Sequence, residues 1–232
     1  RAALRVGAGL VTLAVPGKAL HAHVGRSPDA LMIRRCDGDA GFAELLADRR
    51  RNALVLGPAL GVGDATRSAV FGALLSGRPV VLDADALTTF QGEAEVLAEC
   101  TSGSGKAVLT PHQGEFDRLF AGLVPDTTSR LHRALLASAL LAAVVVLKGP
   151  DTIIAAPDGR LAISVNAPAW LGTAGSGDVL AGLIGGVLAQ GFPPFDAARC
   201  GVFLHGEAGR IAGRGLIADD LPEAVGRVLK GA

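Results

Sequence analysis

The chain alternates short runs of almost uniformly apolar residues with longer segments rich in Ala and Leu. Short apolar runs are typical of strands that helices cover on both faces. Such runs predict strands at residues 10–15, 31–34, 53–56, 80–83, 107–109 and 144–147. Helices are predicted near residues 39–50, 64–76, 93–100, 114–121 and 129–142. This alternation indicates βα units around a mostly parallel sheet, which is an α/β fold.

The pattern changes in the last third of the chain. Two short apolar runs, at residues 152–156 and 161–165, flank the turn sequence Pro157-Asp158-Gly159, which predicts an antiparallel hairpin at the edge of the sheet. Beyond it, helices are predicted at residues 178–190, 195–212 and 219–230. Because no Pro- or Ser-rich linker divides residues 1–232, we expect one domain.

Composition and charge exclude several classes of protein. Hydrophobic residues make up 50% of the 232 residues and charged residues 19%, which suffices for a large core and excludes an intrinsically disordered chain. The 22 Lys and Arg residues balance 22 Asp and Glu residues, so no net field attracts nucleic acid or an anionic membrane. The apolar, uncharged stretch at residues 134–147 is shorter than the ~18 residues of a membrane span, and we expect a buried helix and strand there.

The cysteines and the start of the chain set the expected context. Cys36, Cys100 and Cys200 are far apart and odd in number, so we expect a reducing, cytoplasmic compartment and no disulfide framework. No Cys-x-x-Cys spacing indicates zinc. The chain starts at Arg1 in a helical pattern and without Met, so we expect it to begin inside a longer protein.

Glycine is unusually abundant, with 32 residues, about twice the roughly 7% of an average protein. The strongest local motif is the sequence Thr173-Ala174-Gly175-Ser176-Gly177-Asp178. Its run of small residues lets the backbone approach a ligand closely. Consecutive N–H groups at a helix start form an anion site. Asp178 in the first turn is either a favourable helix charge or a base beside that anion site, the combination that phosphoryl transfer requires. A Walker loop is absent from the sequence.

Two further motifs follow predicted buried strands. His112 and Glu115 lie in the segment Thr110-Pro111-His112-Gln113-Gly114-Glu115, and Lys148 opens the segment Lys148-Gly149-Pro150-Asp151-Thr152. Both segments are expected at the carboxyl edge of the sheet, where ligands bind in open α/β folds. A lone His is more often structural than functional, whereas a compact cation such as Lys148 suits a nucleotide phosphate.

Asp83 and Asp85 form an Asp-x-Asp pair at the end of a predicted strand. Alternation along a strand would point both carboxylates to one face. The pair then either holds a hydrated Mg²⁺ ion or organises a polar network, and the sequence leaves both interpretations open.

Together these motifs resemble a known family. The run Gly175-Ser176-Gly177-Asp178 is similar to the anion hole and catalytic aspartate of the ribokinase-like superfamily. Residues 7–12, 57–61, 82–87, 109–116, 146–152 and 173–182 occur in the order seen in the ADP/ATP-dependent NAD(P)H-hydrate dehydratases. The resemblance covers almost the entire chain and implies a ribokinase-like nucleotide-binding catalytic domain.

The resemblance also implies roles for residues. Asp178 would be catalytic and would contact the substrate, together with Gly61 and His112. The nucleotide would be held by Lys148, Gly149, Pro150, Asp151, Thr152, Gly175, Ser176 and Gly177. The implied reaction is dehydration of the S epimer of hydrated NADH or NADPH, driven by ADP, with ATP as the alternative nucleotide. Mg²⁺ is the implied metal, without assigned ligands, and the implied assembly is a homo-oligomer such as a tetramer.

Alternatives and departures from the family accompany this prediction. A small-molecule kinase of the same superfamily, acting on a vitamin precursor or sugar hydroxyl, shares the anion-hole motif, as does a nucleotide-sensing module that would not need Asp178. The segments 83–87 and 110–115 favour the dehydratase. A further glycine-containing segment of the family is missing upstream of Arg1, and the loop at 166–172 is shorter than usual. The segment around His205 resembles the adenine side of the family's site, although helix packing is its main expected role.

Overall fold

The chain begins with a small parallel unit beside the main sheet. In a computed structural model, which describes residues 1–103, 105–126 and 129–231, the first elements are α1 (Ala2–Arg5), β1 (Val11–Val15), α2 (Leu20–Val24), β2 (Leu31–Arg35) and α3 (Gly38–Ala47). The strands β1 and β2 pair in parallel as a separate two-stranded sheet, with Val11 opposite Leu31. The two predicted strands therefore exist, but their expected place in the central sheet is wrong. Of their residues only Val15 is buried, because no helical layer covers both faces of this pair.

The central sheet has six strands in sequence order, β3 (Leu54–Leu56), β4 (Val80–Leu82), β5 (Ala107–Leu109), β6 (Val144–Leu147), β7 (Thr152–Ala155) and β8 (Leu161–Ser164). The strands β3 to β6 are parallel, and β7 and β8 continue the sheet as antiparallel strands. The expected edge hairpin is confirmed. The remaining helices are α4 (Asp64–Leu75), α5 (Asp85–Thr88), α6 (Ala94–Thr101), α7 (Gln113–Leu119), α8 (Arg130–Leu141), α9 (Ser176–Ala189), α10 (Pro194–Ala212) and α11 (Leu221–Lys230).

Alternating strand residues separate two hydrophobic layers. Val81, Val108 and Val146 belong to the core formed with α1, α9, α10 and α11. Val80 and Leu82 belong to the opposite core, formed with α4, α6, α7 and α8. All five side chains are fully buried, which explains why these strands are apolar at every position.

Glycines bring α9 close to its neighbours. A Cβ atom at Gly185 would collide with Val55 of β3, and one at Gly186 would lie 2.9 Å from the backbone of Ala3 in α1. Glycine at these two positions of α9 therefore permits the close approach of β3 and α1. Close packing fixes the axis of α9 and hence where its first turn lies.

The topology gathers the predicted motifs at one edge. Since β3 to β6 run in parallel, the segments that follow them share the carboxyl edge of the sheet. Within the part of the chain that the structure describes, no helix has the length and apolar character needed to span a membrane.

Candidate functional site

A lysine lies between two buried carboxylates at the carboxyl edge. Lys148 Nζ is 2.7 Å from Asp83 Oδ1 and 3.9 Å from Glu115 Oε2. Asp83 is only 1% exposed, and its Oδ1 also accepts a hydrogen bond of 2.8 Å from Thr110 Oγ1. Three consecutive strands thus supply one polar cluster, from the ends of β4, β5 and β6.

The first turn of α9 faces this cluster. Gly175 takes a left-handed conformation, with φ at +81°, and the helix begins at Ser176. Among the described residues, nothing accepts a hydrogen bond from the backbone N–H groups of Gly177 and Asp178. A Cβ atom at Gly177 would lie 3.2 Å from Lys148 Nζ, so the helix start lies directly against the ammonium. Open N–H groups and the helix dipole make this turn a site for an anion.

Asp178 has the electrostatic character of a base. Desolvation by surrounding atoms is the main cause that raises the pKa of its carboxyl, although the side chain is at the surface. The negative charges of Asp83 and Asp85 raise the pKa further, whereas Lys148 lowers it. A raised pKa makes the ionised carboxylate a stronger proton acceptor. The arrangement therefore places a base beside an anion site.

The expected strand geometry of Asp83 and Asp85 is wrong. β4 ends at Leu82, Ala84 turns the chain with φ at +47°, and Asp85 begins α5. Asp83 bonds with Lys148, while Asp85 Oδ2 accepts a hydrogen bond of 2.8 Å from the Gly61 N–H. The carboxylates are therefore placed by a turn, and Asp85 joins the loop after β3 to the loop after β4.

His112 forms the N-terminal cap of α7. Its Nδ1 accepts hydrogen bonds from the N–H groups of Gly114, at 3.0 Å, and Glu115, at 3.3 Å. Glu115 Oε2 in turn accepts one of 2.8 Å from the His112 N–H. With Nδ1 acting as acceptor, the neutral ring carries its proton on Nε2. The side chain is 55% exposed, which leaves the ring accessible to a ligand.

The turn between β6 and β7, residues 148–152, contains five of the residues predicted to bind the nucleotide. The Lys148 N–H donates a hydrogen bond of 2.8 Å to the Pro111 carbonyl, which ties this turn to the segment after β5. Thr152 Oγ1 donates one of 3.1 Å to the Gly149 carbonyl. Pro150 is exposed. We call these five residues the β6–β7 turn.

Two further residues contact the predicted segments, one without any sequence signal and one that was expected mainly to pack its helix. Arg130, the first residue of α8, bonds with Asp151 in the β6–β7 turn. His205 of α10 lies with Nε2 3.0 Å from Ser176 Oγ, in the first turn of α9. These contacts join residues far apart in sequence, so no local motif indicates them. The resemblance around His205 was the only signal for that residue.

Comparison with known proteins places the chain. A family-wide sequence model described as NAD(P)H-hydrate dehydratase matches residues 1–227. The chain belongs to the NAD(P)H-hydrate dehydratase family.

Two curated relatives and one solved structure support this membership. The ADP-dependent (S)-NAD(P)H-hydrate dehydratase of Neisseria meningitidis serogroup B is 41% identical over 183 residues, covering 73% of this chain and 60% of the relative. The bifunctional NAD(P)H-hydrate repair enzyme of Moorella thermoacetica is 36% identical over 245 residues, covering 99% of this chain and 45% of the relative. The chain thus spans about half the length of the curated relatives it matches. The Bacillus subtilis ADP/ATP-dependent NAD(P)H-hydrate dehydratase, co-crystallised with ATP and Mg²⁺, superposes with a TM-score of 0.74 at 26% identity, covering 99% of this chain and 84% of that one.

The match to the family model confirms the family that the motifs implied, and the superposition supports the ribokinase-like fold. In this dehydratase-family chain, the predicted residues Lys148, Gly177 and Asp178 lie together, and Gly61 is joined to them through Asp85. His112 is paired with Lys148 through a backbone bridge. The ligand roles of these residues stay predictions.

Proposed function

We propose that this chain dehydrates the S epimer of hydrated NADH or NADPH to the reduced cofactor. ADP would supply the phosphoryl group, giving AMP and phosphate, with ATP as the alternative nucleotide. The family membership and the names of the relatives support this reaction class. The observation that carries the proposal is the Asp178 carboxylate in the same helical turn as the open N–H groups of Gly177 and Asp178.

The first step is a phosphoryl transfer. Asp178 accepts the proton of the ring hydroxyl while the hydroxyl oxygen bonds to the terminal phosphorus of ADP and the bond to AMP breaks. The N–H groups at the start of α9 stabilise the charge on the transferring group. The raised pKa of Asp178, caused first by desolvation, favours proton acceptance.

The second step is an elimination. The carbon–oxygen bond breaks, phosphate leaves with the bonding electrons, and loss of a proton from the neighbouring ring position restores the double bond. Phosphate is a far better leaving group than hydroxide at neutral pH, which is why the nucleotide is consumed. Gly61 and His112 would contact the hydrated ring, and the β6–β7 turn together with Gly175, Ser176 and Gly177 would hold the nucleotide.

The charges of the site favour a divalent cation with the nucleotide. Lys148 is already paired with Asp83, and Asp85, Glu115 and Asp178 add negative charge around it. Because it is paired with Asp83, Lys148 alone does not neutralise a diphosphate. Asp83 Oδ2 is buried and accepts no hydrogen bond from any described residue.

Carboxylate oxygens are the ligands that Mg²⁺ prefers, usually one or two per ion with several waters and substrate phosphates. Asp83 and Asp85 fit that donor set. They would hold the ion through water, since the described residues contain no group of three side chains that could ligate a metal directly. Bound Mg²⁺ would neutralise charge on the transferring phosphate.

The test incubates the protein with chemically hydrated NADH, Mg²⁺ and either ADP or ATP. We expect reduced-nicotinamide absorbance to return, with one AMP formed for each NADH when ADP is used. Accumulation of a phosphorylated hydrate without NADH would mean that the transfer step occurs without the elimination, which would contradict the dehydratase. Tight nucleotide binding with neither product would reject the dehydratase and leave the kinase alternative, whose vitamin-precursor or sugar substrates this assay does not contain.

The same assay tests Asp178. Asp178→Asn keeps the shape of the side chain and removes its basicity, so we expect turnover to fall at least ~100-fold while ADP affinity changes by less than about twofold. Asp158→Asn is the matched control, because Asp158 pairs with Arg160 in the turn between β7 and β8, at the opposite edge of the sheet. Turnover by Asp178→Asn close to that of wild type would place the base elsewhere.

A further inference from the structure

The guanidinium group of Arg130 joins the β6–β7 turn to the segment after β5. Arg130 Nη2 donates a hydrogen bond of 3.2 Å to the Lys148 carbonyl, and Nη1 donates one of 3.3 Å to the Asp151 carbonyl. Nη1 also pairs with the Asp151 carboxylate. The remaining donor, Nε, bonds at 3.1 Å with Gln113 Oε1, in the segment after β5. Arg130 thus fixes both ends of the β6–β7 turn against the neighbouring segment.

Gly149 lies against this guanidinium group. A Cβ atom at Gly149 would lie 3.1 Å from Arg130 Cζ and closer still to Nη2. Gly149 is not among the glycines with positive φ, so its backbone conformation does not require glycine. A side chain at this position would therefore displace the Arg130 guanidinium group.

We propose that Arg130 is the positioning residue of the β6–β7 turn, and that it holds this turn in the geometry that binds the diphosphate nucleotide. The inference rests on the proposed function to the extent that this turn binds ADP. A turn that is already ordered loses less conformational entropy when the ligand binds. Lysine cannot replace arginine here, because a single ammonium does not present the planar set of donors that reaches Lys148, Asp151 and Gln113 together.

The experiment measures ADP affinity by calorimetry, in the presence of Mg²⁺, for the full chain and its variants. We expect Arg130→Ala and Arg130→Lys each to weaken ADP binding roughly tenfold, since charge-assisted hydrogen bonds are lost in both. In the assay, the KM for ADP should rise by more than kcat falls. Arg160→Ala is the matched control and should bind ADP as wild type does, because its pair with Asp158 lies at the opposite edge of the sheet.

A double variant separates positioning from general destabilisation. Gly149→Ala should weaken ADP binding because its methyl group displaces Arg130. In the Arg130→Ala background the methyl group has space, so the double variant should bind ADP no more weakly than Arg130→Ala alone. Additive losses in the double variant, or wild-type affinity in Arg130→Lys, would overturn the proposal.

The outcomes for this inference and for the proposed function are distinct. A wild-type chain that binds ADP without regenerating NADH removes the proposed function and leaves the Arg130 comparison intact. A wild-type chain that binds neither ADP nor ATP overturns both. If Arg130→Ala does not fold, as judged by thermal unfolding, the proposal is tested by whether Arg130→Lys and Gly149→Ala each weaken ADP binding. Wild-type affinity in both would overturn it.

Discussion

At the scale of single residues, His205 links the start of α9 to the stability of the fold. Burial is the largest cause that lowers its pKa to about 4, and the charge of Lys148 also lowers it, while a hydrogen bond with Ser176 opposes the shift. In the unfolded chain the ring titrates near 6.5. Between these values only the unfolded state binds a proton, so the stabilisation is complete above pH ~6.5. It falls by up to about 3 kcal/mol as the pH drops to ~4.

The prediction for His205 is a loss of pH dependence. His205→Gln retains an amide that can bond with Ser176 Oγ but does not titrate, so its free energy of unfolding should vary less between pH 4 and pH 6.5. The slope of the free energy of unfolding against pH should decrease by ~1.4 kcal/mol per pH unit, the value for one proton. Urea unfolding at a series of pH values measures this slope. His23→Gln, on the exposed surface of α2, is the control that should keep the wild-type slope. Equal slopes for wild type and His205→Gln would contradict the prediction.

How far the residues of the site are predictable depends on the range of their contacts. Gly175, Gly177 and Asp178 are predictable because the anion site is formed by consecutive backbone groups in one helical turn. Arg130 is not, because its partners lie 17 to 21 residues away and depend on where α8 begins. Lys148 was found by its place after β6, but its pairing with Asp83, 65 residues distant, was not.

At the scale of elements, the glycines of α9 set how closely two helices approach. A Cβ atom at Gly186 would collide with Val6 and lie 2.9 Å from Ala3 Cα, so α1 or α9 would have to move. We expect Gly186→Ala to lower the free energy of unfolding by about 1–3 kcal/mol. Gly226→Ala in α11 is the contrasting control, since its Cβ would meet only Arg5 Cδ at 3.9 Å.

Alanine at position 226 should instead stabilise the chain by ~0.5–1 kcal/mol through its higher helix propensity. Urea unfolding of both variants gives the two signs directly. Destabilisation of similar size at 186 and 226 would show that packing against α1 does not decide the effect.

Strand periodicity gave correct elements but an incomplete topology. The apolar runs of β4, β5 and β6 are covered on both faces, so their pattern and their place in the sheet agree. The runs at 10–15 and 31–34 contain similar residues, yet β1 and β2 pair only with each other. Hydrophobicity alone does not state which strand a run will pair with.

At the scale of the whole molecule, charge neutrality limits how ligands are attracted. The formal net charge is +0, and among the described residues around Lys148 the carboxylates outnumber this cation, so we expect little long-range attraction of a nucleotide. Binding must depend on short-range contacts, from the N–H groups of α9, the β6–β7 turn and a bound cation. Short-range contacts of partly buried groups are screened much less by salt than charges separated by more than a Debye length.

Nucleotide affinity should therefore depend weakly on ionic strength. With Mg²⁺ held constant, we expect the Kd for ADP to change by less than about threefold between 50 and 300 mM NaCl, whereas a protein that attracts ADP by long-range charge would lose far more affinity. Calorimetric titrations across this range measure the effect, and a parallel series in sodium acetate separates ionic strength from chloride binding. A loss of tenfold or more in both salts would mean that a long-range field contributes, and that the short-range groups at the start of α9 do not suffice to hold the nucleotide.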